Sequence, residues 1–272
     1  MTAPHPGSVA PRTGKARRHA LGPAEVSGFR EQGFVGPFDL IERQHALDLA
    51  RFVLSRGRRV GDWLRRRAPH DDRHVDVRRL RDLCVLGALL DRVEDLLGPD
   101  LVLWRTRLFV KGPGARAFPF HQDDAYYRLR NSRTSRHDGD ERHLGLSAWI
   151  ALTDADTSNG CVELIPGTHL ETWAHVPTAW RFGMAADPGD VARRRREPLI
   201  MKAGQFFLFD NHVVHGSGAN TSLGPRVGFA ARYTMPHVWI GAGEERWWAR
   251  PSAFLVRGSH PSRTTRNADP RR

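Results

Sequence analysis

The chain has 272 residues, of which 40% are hydrophobic and 26% charged, which suits one large soluble domain with a substantial core. No apolar run approaches the roughly 18 residues of a membrane helix, and Met1–Ala20 lacks the apolar centre of a secretory signal, so neither feature is expected. The formal net charge of +12 invites a nucleic-acid reading, but of 42 basic residues only Lys15, Lys111 and Lys202 are lysines.

An arginine skew beside abundant Ala, Gly and Pro reads as genome base composition rather than selection for phosphate contacts. The basic residues also gather in the tails and in Arg193-Arg194-Arg195-Arg196, without interleaved aromatics, so no nucleic-acid partner is expected. Cys84 and Cys161 are the only cysteines, too few for a disulfide framework, and a reducing cytoplasm is the expected location.

Residues 1–20 read as a disordered arm, 21–256 as one domain and 257–272 as a disordered tail. Pro23–Gly33 has the signals of a short helix, followed by the extended connector Gly36-Pro37-Phe38. Ile41–Arg56 has helical spacing at Ala46, Leu47, Ala50, Val53 and Leu54, whereas Gly57–Arg79 takes no assignment. Leu86–Leu97 is the clearest helix, with a stripe of Leu86, Leu89, Leu90, Val93 and Leu97 and the stop signals Gly98 and Pro99.

From there the period becomes that of strands: Leu101–Lys111, Phe118–Tyr126, Leu144–Thr153, Cys161–Ile165, Gln205–Val214 and Arg226–Pro236. Within Leu144–Thr153, Leu146, Ala148 and Ile150 alternate against Ser147, Trp149 and Ala151. Helices first and strands afterwards predict an α+β chain whose core is a jelly roll, a double-stranded β-helix, with flanking N-terminal helices. The polar stretches Arg128–His143 and Glu171–Arg196 are long for loops of a compact domain and are expected to be lids.

The chemistry centres on His121-Gln122-Asp123. On a strand, residues i and i+2 share a face, so the imidazole and the carboxylate would point into one cavity. His215 is the best candidate for a third ligand, and His212, an odd offset away, is expected on the opposite face. Two His and one carboxylate leave three octahedral positions open, the pattern of non-haem Fe(II) oxygenases, although the same set also builds zinc sites. Arg226 follows the polar turn Gly218–Pro225, and a hairpin there would return it to the metal as a forked cation for a carboxylate. From the residues alone, a non-oxidative cupin-like metal enzyme and a basic nucleic-acid or protein-binding module stay open.

The chain resembles the phytanoyl-CoA dioxygenase family. The resemblance rests on His121-Gln122-Asp123, Trp149–Asp154, Asn159-Gly160-Cys161, Pro166-Gly167-Thr168-His169, and His215-Gly216-Ser217 with Arg226, within roughly residues 24–236. It implies Fe(II), 2-oxoglutarate and O2, with His121, Asp123 and His215 as iron ligands. It further implies Arg226, Ser217 and Lys111 as cosubstrate contacts, Trp149 as a pocket wall, and Ser147 and Arg232 orienting the ligands. Gly33–Phe38, Leu103–Thr106 and Met201–Phe206 are similar to the aliphatic halogenases of nonribosomal-peptide pathways. Those enzymes carry a small residue where this chain has Asp123, so hydroxylation rather than chlorination is expected. The implied substrate is a small polar metabolite, such as an amino acid free or tethered to a carrier protein.

Overall fold

The computed structural model describes residues 17–56, 70–123, 129–131, 143–178, 184–240, 245–246 and 252–259. The chain opens with α1 (Pro23–Gln32), β1 (Phe34–Asp39), α2 (Arg43–Arg56), α3 (Arg78–Cys84) and α4 (Gly87–Leu97). Strands follow: β2 (Leu101–Lys111), β3 (Phe118–His121), β4 (Leu129–Asn131), β5 (Gly145–Ala151), β6 (Val162–Leu164), β7 (His175–Pro177) and β8 (Met184–Ala186). After the short α5 (Pro188–Ala192) come β9 (Glu197–Pro198), β10 (Gln205–Asp210), β11 (His215–Ser217), β12 (Arg226–Thr234), β13 (Val238–Ile240), β14 (Glu245–Arg246) and β15 (Phe254–Arg257). No helix among the described residues is long and apolar enough to cross a membrane.

A six-stranded sheet in the order β1-β10-β5-β12-β2-β15 faces a four-stranded sheet in the order β3-β11-β6-β9. Side-chain alternation divides the core between the two faces of the larger sheet. Leu146, Ala148 and Ile150 of β5 and Val227, Phe229, Ala231 and Tyr233 of β12 pack with Leu49, Leu80, Leu89 and Val93 of the helices. Trp149, Ala151 and Ala230 turn the other way and cluster with Val162 and Leu164 of the smaller sheet. Burying each Leu, Ile or Phe of this kind stabilises the fold by about 1.5–3 kcal/mol. The Tyr233 hydroxyl ties the layers by donating to the Cys84 carbonyl at 2.8 Å. These layers are the double-stranded β-helix and flanking helices expected.

The differences from expectation have local causes. The connector Gly36-Pro37-Phe38 lies within a strand, β1, at the edge of the large sheet, where the missing proline N–H interrupts no interior ladder. The expected strand Gln205–Val214 ends early, at Asp210, as β10, and the next strand, β11, begins only at His215 and lies in the other sheet. Asp210 breaks it, because its Oδ1 accepts the backbone N–H of His212 at 2.8 Å and turns the chain. His212 therefore sits in a turn rather than on a strand's far face, with Nδ1 3.2 Å from Asp210 Oδ1. α3 arises where no element was assigned.

Residues 257 and 17–19, placed in the tail and the arm by sequence, are tied to α4. Arg257 reaches Asp91 at 2.9 Å and Glu94 at 2.7 Å, and Arg17 reaches Asp95 at 2.7 Å. Of the two expected lids, residues 132–142 lie outside the described residues, and the Glu171–Arg196 stretch contains the paired β7 and β8 and also α5.

Candidate metal centre

β3 and β11 are antiparallel neighbours, and their register sets His121 directly opposite His215, with ring centroids 4.3 Å apart. One device holds both imidazoles: Nδ1 lies 2.9 Å from the carbonyl oxygen two residues earlier, Pro119 for His121 and Val213 for His215. A carbonyl only accepts, so Nδ1 carries the proton and Nε2 presents its lone pair. Asp123 Oδ1 lies 3.9 Å from His121 Nε2. The three residues each offer one ligand atom within 4.8 Å of the others.

Asp123 reaches this position differently from the expected pleat. β3 ends at His121, and the Asp123 N–H donates to the Asn211 carbonyl at 2.9 Å, so a bend aims the carboxylate. Arg232 then grips it with a fork, Nε 3.1 Å from Oδ2 and Nη2 3.3 Å from Oδ1. Ser147 Oγ lies 3.5 Å from Asp123 Oδ2 and 3.3 Å from Asn211 Oδ1.

Electrostatics favour a metal-ready state. Burial, reinforced by His215, pushes His121 down to about 3, and burial also lowers His215, so both rings are neutral at neutral pH. Burial alone would raise Asp123, but Arg232 and the two imidazoles outweigh it and hold the carboxyl below its ordinary value. Neutral imidazoles and an ionised carboxylate are the forms that bind a divalent metal.

A cavity of about 310 Å³ opens beside the cluster, lined by Lys111, Trp149, Ser217, Arg226 and Arg232 as well as the three candidate ligands. Arg226 is 4% exposed, and its Nε has no hydrogen-bond partner among the described residues. A buried guanidinium N–H without a partner is uncommon and suits a site built for an anion. Its Cζ lies 5.2 Å from the Trp149 ring, so the indole backs the cation. Lys111, paired with Arg226 across β2 and β12, donates to Ser217 Oγ at 2.8 Å and also to the Gly218 carbonyl. Burial first, then Arg226, lowers Lys111 to about 8.

A sequence model of the phytanoyl-CoA dioxygenase family matches residues 29–228. The chain belongs to the phytanoyl-CoA dioxygenase family. The peroxisomal phytanoyl-CoA dioxygenase of Bos taurus is 30% identical over a 159-residue alignment that covers 55% of this chain and 44% of that protein. The chain thus spans less than half the length of this curated relative. Among solved structures, the non-heme monooxygenase ThoJ superposes with a TM-score of 0.66 at 26% identity, covering 86% of this chain and 84% of that one. CytC3 with Fe(II) and alpha-ketoglutarate shares the fold, at a TM-score of 0.62, 22% identity and coverage of 83% and 81%.

As a member of the phytanoyl-CoA dioxygenase family, the chain draws its site from both sheets. The smaller sheet presents the two imidazoles and Ser217, and the larger presents Lys111, Trp149, Ser147, Arg226 and Arg232. Three supporting residues escaped sequence reading. Gln122 is buried between the two candidate ligands and donates to the His212 carbonyl at 2.6 Å. Asn211 receives the Asp123 N–H, and Asn220 donates to the Lys111 carbonyl at 2.8 Å. Their signal was weak because amides in polar turns are common. Gly160, in the Asn159-Gly160-Cys161 motif, has φ 74°, and a Cβ there would meet the Gly218 carbonyl oxygen at 2.4 Å. That motif therefore shapes the backbone beside Lys111.

Proposed function

We propose that the chain is an Fe(II)/2-oxoglutarate-dependent oxygenase that hydroxylates an unactivated C–H bond of a small polar metabolite, an amino acid either free or carrier-tethered. One observation carries the reading: two neutral imidazoles and a carboxylate share a cavity with a buried Arg226 whose Nε is unsatisfied. Zinc hydrolysis uses a similar donor set, and membership of the phytanoyl-CoA dioxygenase family favours Fe(II) over it.

In this reading His121 and His215 donate from Nε2 and Asp123 from one carboxylate oxygen, leaving an octahedral ion with three further positions. Iron with 2-oxoglutarate and O2 supplies the oxidising chemistry when bound. The protein supplies position. Arg232 and Ser147 hold the Asp123 carboxylate in one orientation, as metal sites commonly require of the groups around their ligands.

Arg226 takes the distal carboxylate of 2-oxoglutarate. Because Lys111 donates to Ser217 Oγ, the Ser217 proton is free to point at that same carboxylate. Trp149, Phe109 and Phe209 line the cavity with apolar surface, which keeps water from competing for these contacts.

Anaerobic addition of Fe(II) and 2-oxoglutarate tests the assignment. A weak visible charge-transfer band is expected, requiring both additions. Metal binding without the band would favour a non-oxidative metal enzyme. A mass-spectrometric screen of candidate metabolites then identifies the substrate by the gain of one oxygen atom.

A further inference from the structure

Among the described residues, the lining of the cavity carries more positive charge than the proposed cosubstrate neutralises. Its described lining includes five cationic side chains, Arg107, Lys111, Arg116, Arg226 and Arg232, and one carboxylate, Asp123. Asp123 is gripped by Arg232. Fe(II) brings two positive charges and 2-oxoglutarate two negative ones, so loading both leaves the balance unchanged. Five cations against one carboxylate is an excess of four with Lys111 protonated and of three without it. Asp71, outside the lining, alters little, because it lies 3.5 Å from Arg107 and equally close to Arg105, a cation also outside the lining. Charge of one sign in a low-dielectric cleft selects a ligand of the other sign.

Strand register places one of these cations, Arg107, well away from the cosubstrate clamp. Lys111 is opposite Arg226, Phe109 opposite Gly228 and Arg107 opposite Ala230. Arg107 is thus four residues from Lys111, roughly 13 Å along the strand, at the other end of the cavity from the cosubstrate clamp. Ala230 offers only a methyl group there. The Arg107 side chain is 12% exposed, with its guanidinium 5.6 Å from the Phe109 ring. His70 and Arg116, both exposed, stand at the rim. The cavity volume of about 310 Å³ is at the low end for small-molecule sites, and the cosubstrate shares it, so only a compact group fits beside it.

Resting on the oxygenase reading, we propose that Arg107, assisted by Arg116 at the rim, binds an oxyanion of the substrate. The substrate is then a small organic anion, a carboxylate or a phosphate monoester, whose apolar part lies against Phe109 and Trp149. Arg107 is a specificity-determining residue, separate from the cosubstrate clamp.

The test titrates the anaerobic protein–Fe(II)–2-oxoglutarate complex with hexanoate, hexyl phosphate and hexan-1-ol, following the visible band and ligand-observed NMR. At least one of the two anions should bind roughly ten- to a hundredfold more tightly than the alcohol, the gain of hydrogen bonds to a charged group. The preferred anion distinguishes carboxylate from phosphate recognition. Arg107→Gln should remove most of that preference while 2-oxoglutarate affinity, read by calorimetry, stays within about twofold. If that variant does not fold, Arg116→Ala, at an exposed position, should still reduce the preference. Equal binding of all three probes overturns the proposal, as does an unchanged preference in the variants, or anion binding that merely displaces 2-oxoglutarate. Should 2-oxoglutarate itself not bind, the oxygenase reading fails separately, and NMR on the metal-free protein still reports on Arg107.

Discussion

At the scale of single residues, the candidate site is a set of charges held where water would otherwise stabilise them. Arg226→Ala should weaken 2-oxoglutarate binding by about 2–5 kcal/mol, the loss expected when one partner of a desolvated charge pair is removed. Fe(II) affinity should be unchanged, and calorimetric titration of both ligands checks the pair of outcomes. Lys111 adds a pH dependence. Burial lowers it to about 8, so it is charged below that value and neutral above it. Cosubstrate affinity should therefore fall as pH rises through about 8, by up to roughly tenfold, because a positive charge beside the Arg226 clamp is lost. Titrations at pH 7 and pH 9 would show the fall, and Lys111→Met should flatten it.

The candidate ligands His121, Asp123 and His215 were picked out less by the His-x-Asp spacing, which is common by chance, than by Arg226 and the motifs around them, and the structure brings the three side chains together. The geometry was not legible. A bend rather than a pleat aims Asp123, and a turn rather than strand parity separates His212 from the cluster. The first depends on a hydrogen bond to distant backbone, from the Asp123 N–H to the Asn211 carbonyl, of which local pattern carries no trace; the second depends on a local Asp210 turn hidden by the apolar residues on either side of it.

Among the elements, β12 contributes both arginines of the candidate site, Arg226 and Arg232. Its alternation of Arg226, Gly228, Ala230 and Arg232 against Val227, Phe229, Ala231 and Tyr233 is a two-faced strand between two cores. Gly228 has a specific task there. A Cβ at this position would meet Trp149 Cζ2 at 2.1 Å, so the indole lies directly on its backbone. Gly228→Ala should displace Trp149, destabilise the fold by about 1–3 kcal/mol and weaken cosubstrate binding through the loss of support for Arg226. Urea unfolding monitored by tryptophan fluorescence measures the first effect, and calorimetry the second. Strand boundaries were legible where apolar alternation was long, as in β2 and β5. They failed at β1 and at the β10–β11 junction. Pro37 looked like a break but sits harmlessly on an edge, and Asp210 looked like strand but makes a corner.

For the molecule as a whole, the order of helices before strands was enough to read the architecture, because each layer must bury one apolar face against another. The reaction outcome is also a property of the assembled site. On the proposed reading, two imidazoles, one carboxylate and a bidentate cosubstrate would leave one position of an octahedral ion. Chloride would then have no place unless Asp123 left, and the Arg232 fork holds Asp123 in. Wild-type protein with its substrate and excess chloride should therefore yield only oxygenated product by mass spectrometry. A chlorinated product would sink the assignment.

Arg226 and Arg232 lie three pleats apart on one strand whose nine residues are all buried and which is hydrogen-bonded along both edges. Such a strand cannot lengthen, so about 20 Å of backbone fixes the spacing between the two arginine Cα atoms. On the proposed reading one guanidinium sits at the metal's carboxylate and the other at the distal clamp, and the strand works as a caliper whose jaws are the two side chains. Oxaloacetate, one carbon shorter, would then fall short of Arg226 while chelating the metal, and 2-oxoadipate, one carbon longer, would overreach. Neither should reproduce the visible band at concentrations that saturate 2-oxoglutarate, and a full band from either would mean that the jaws move.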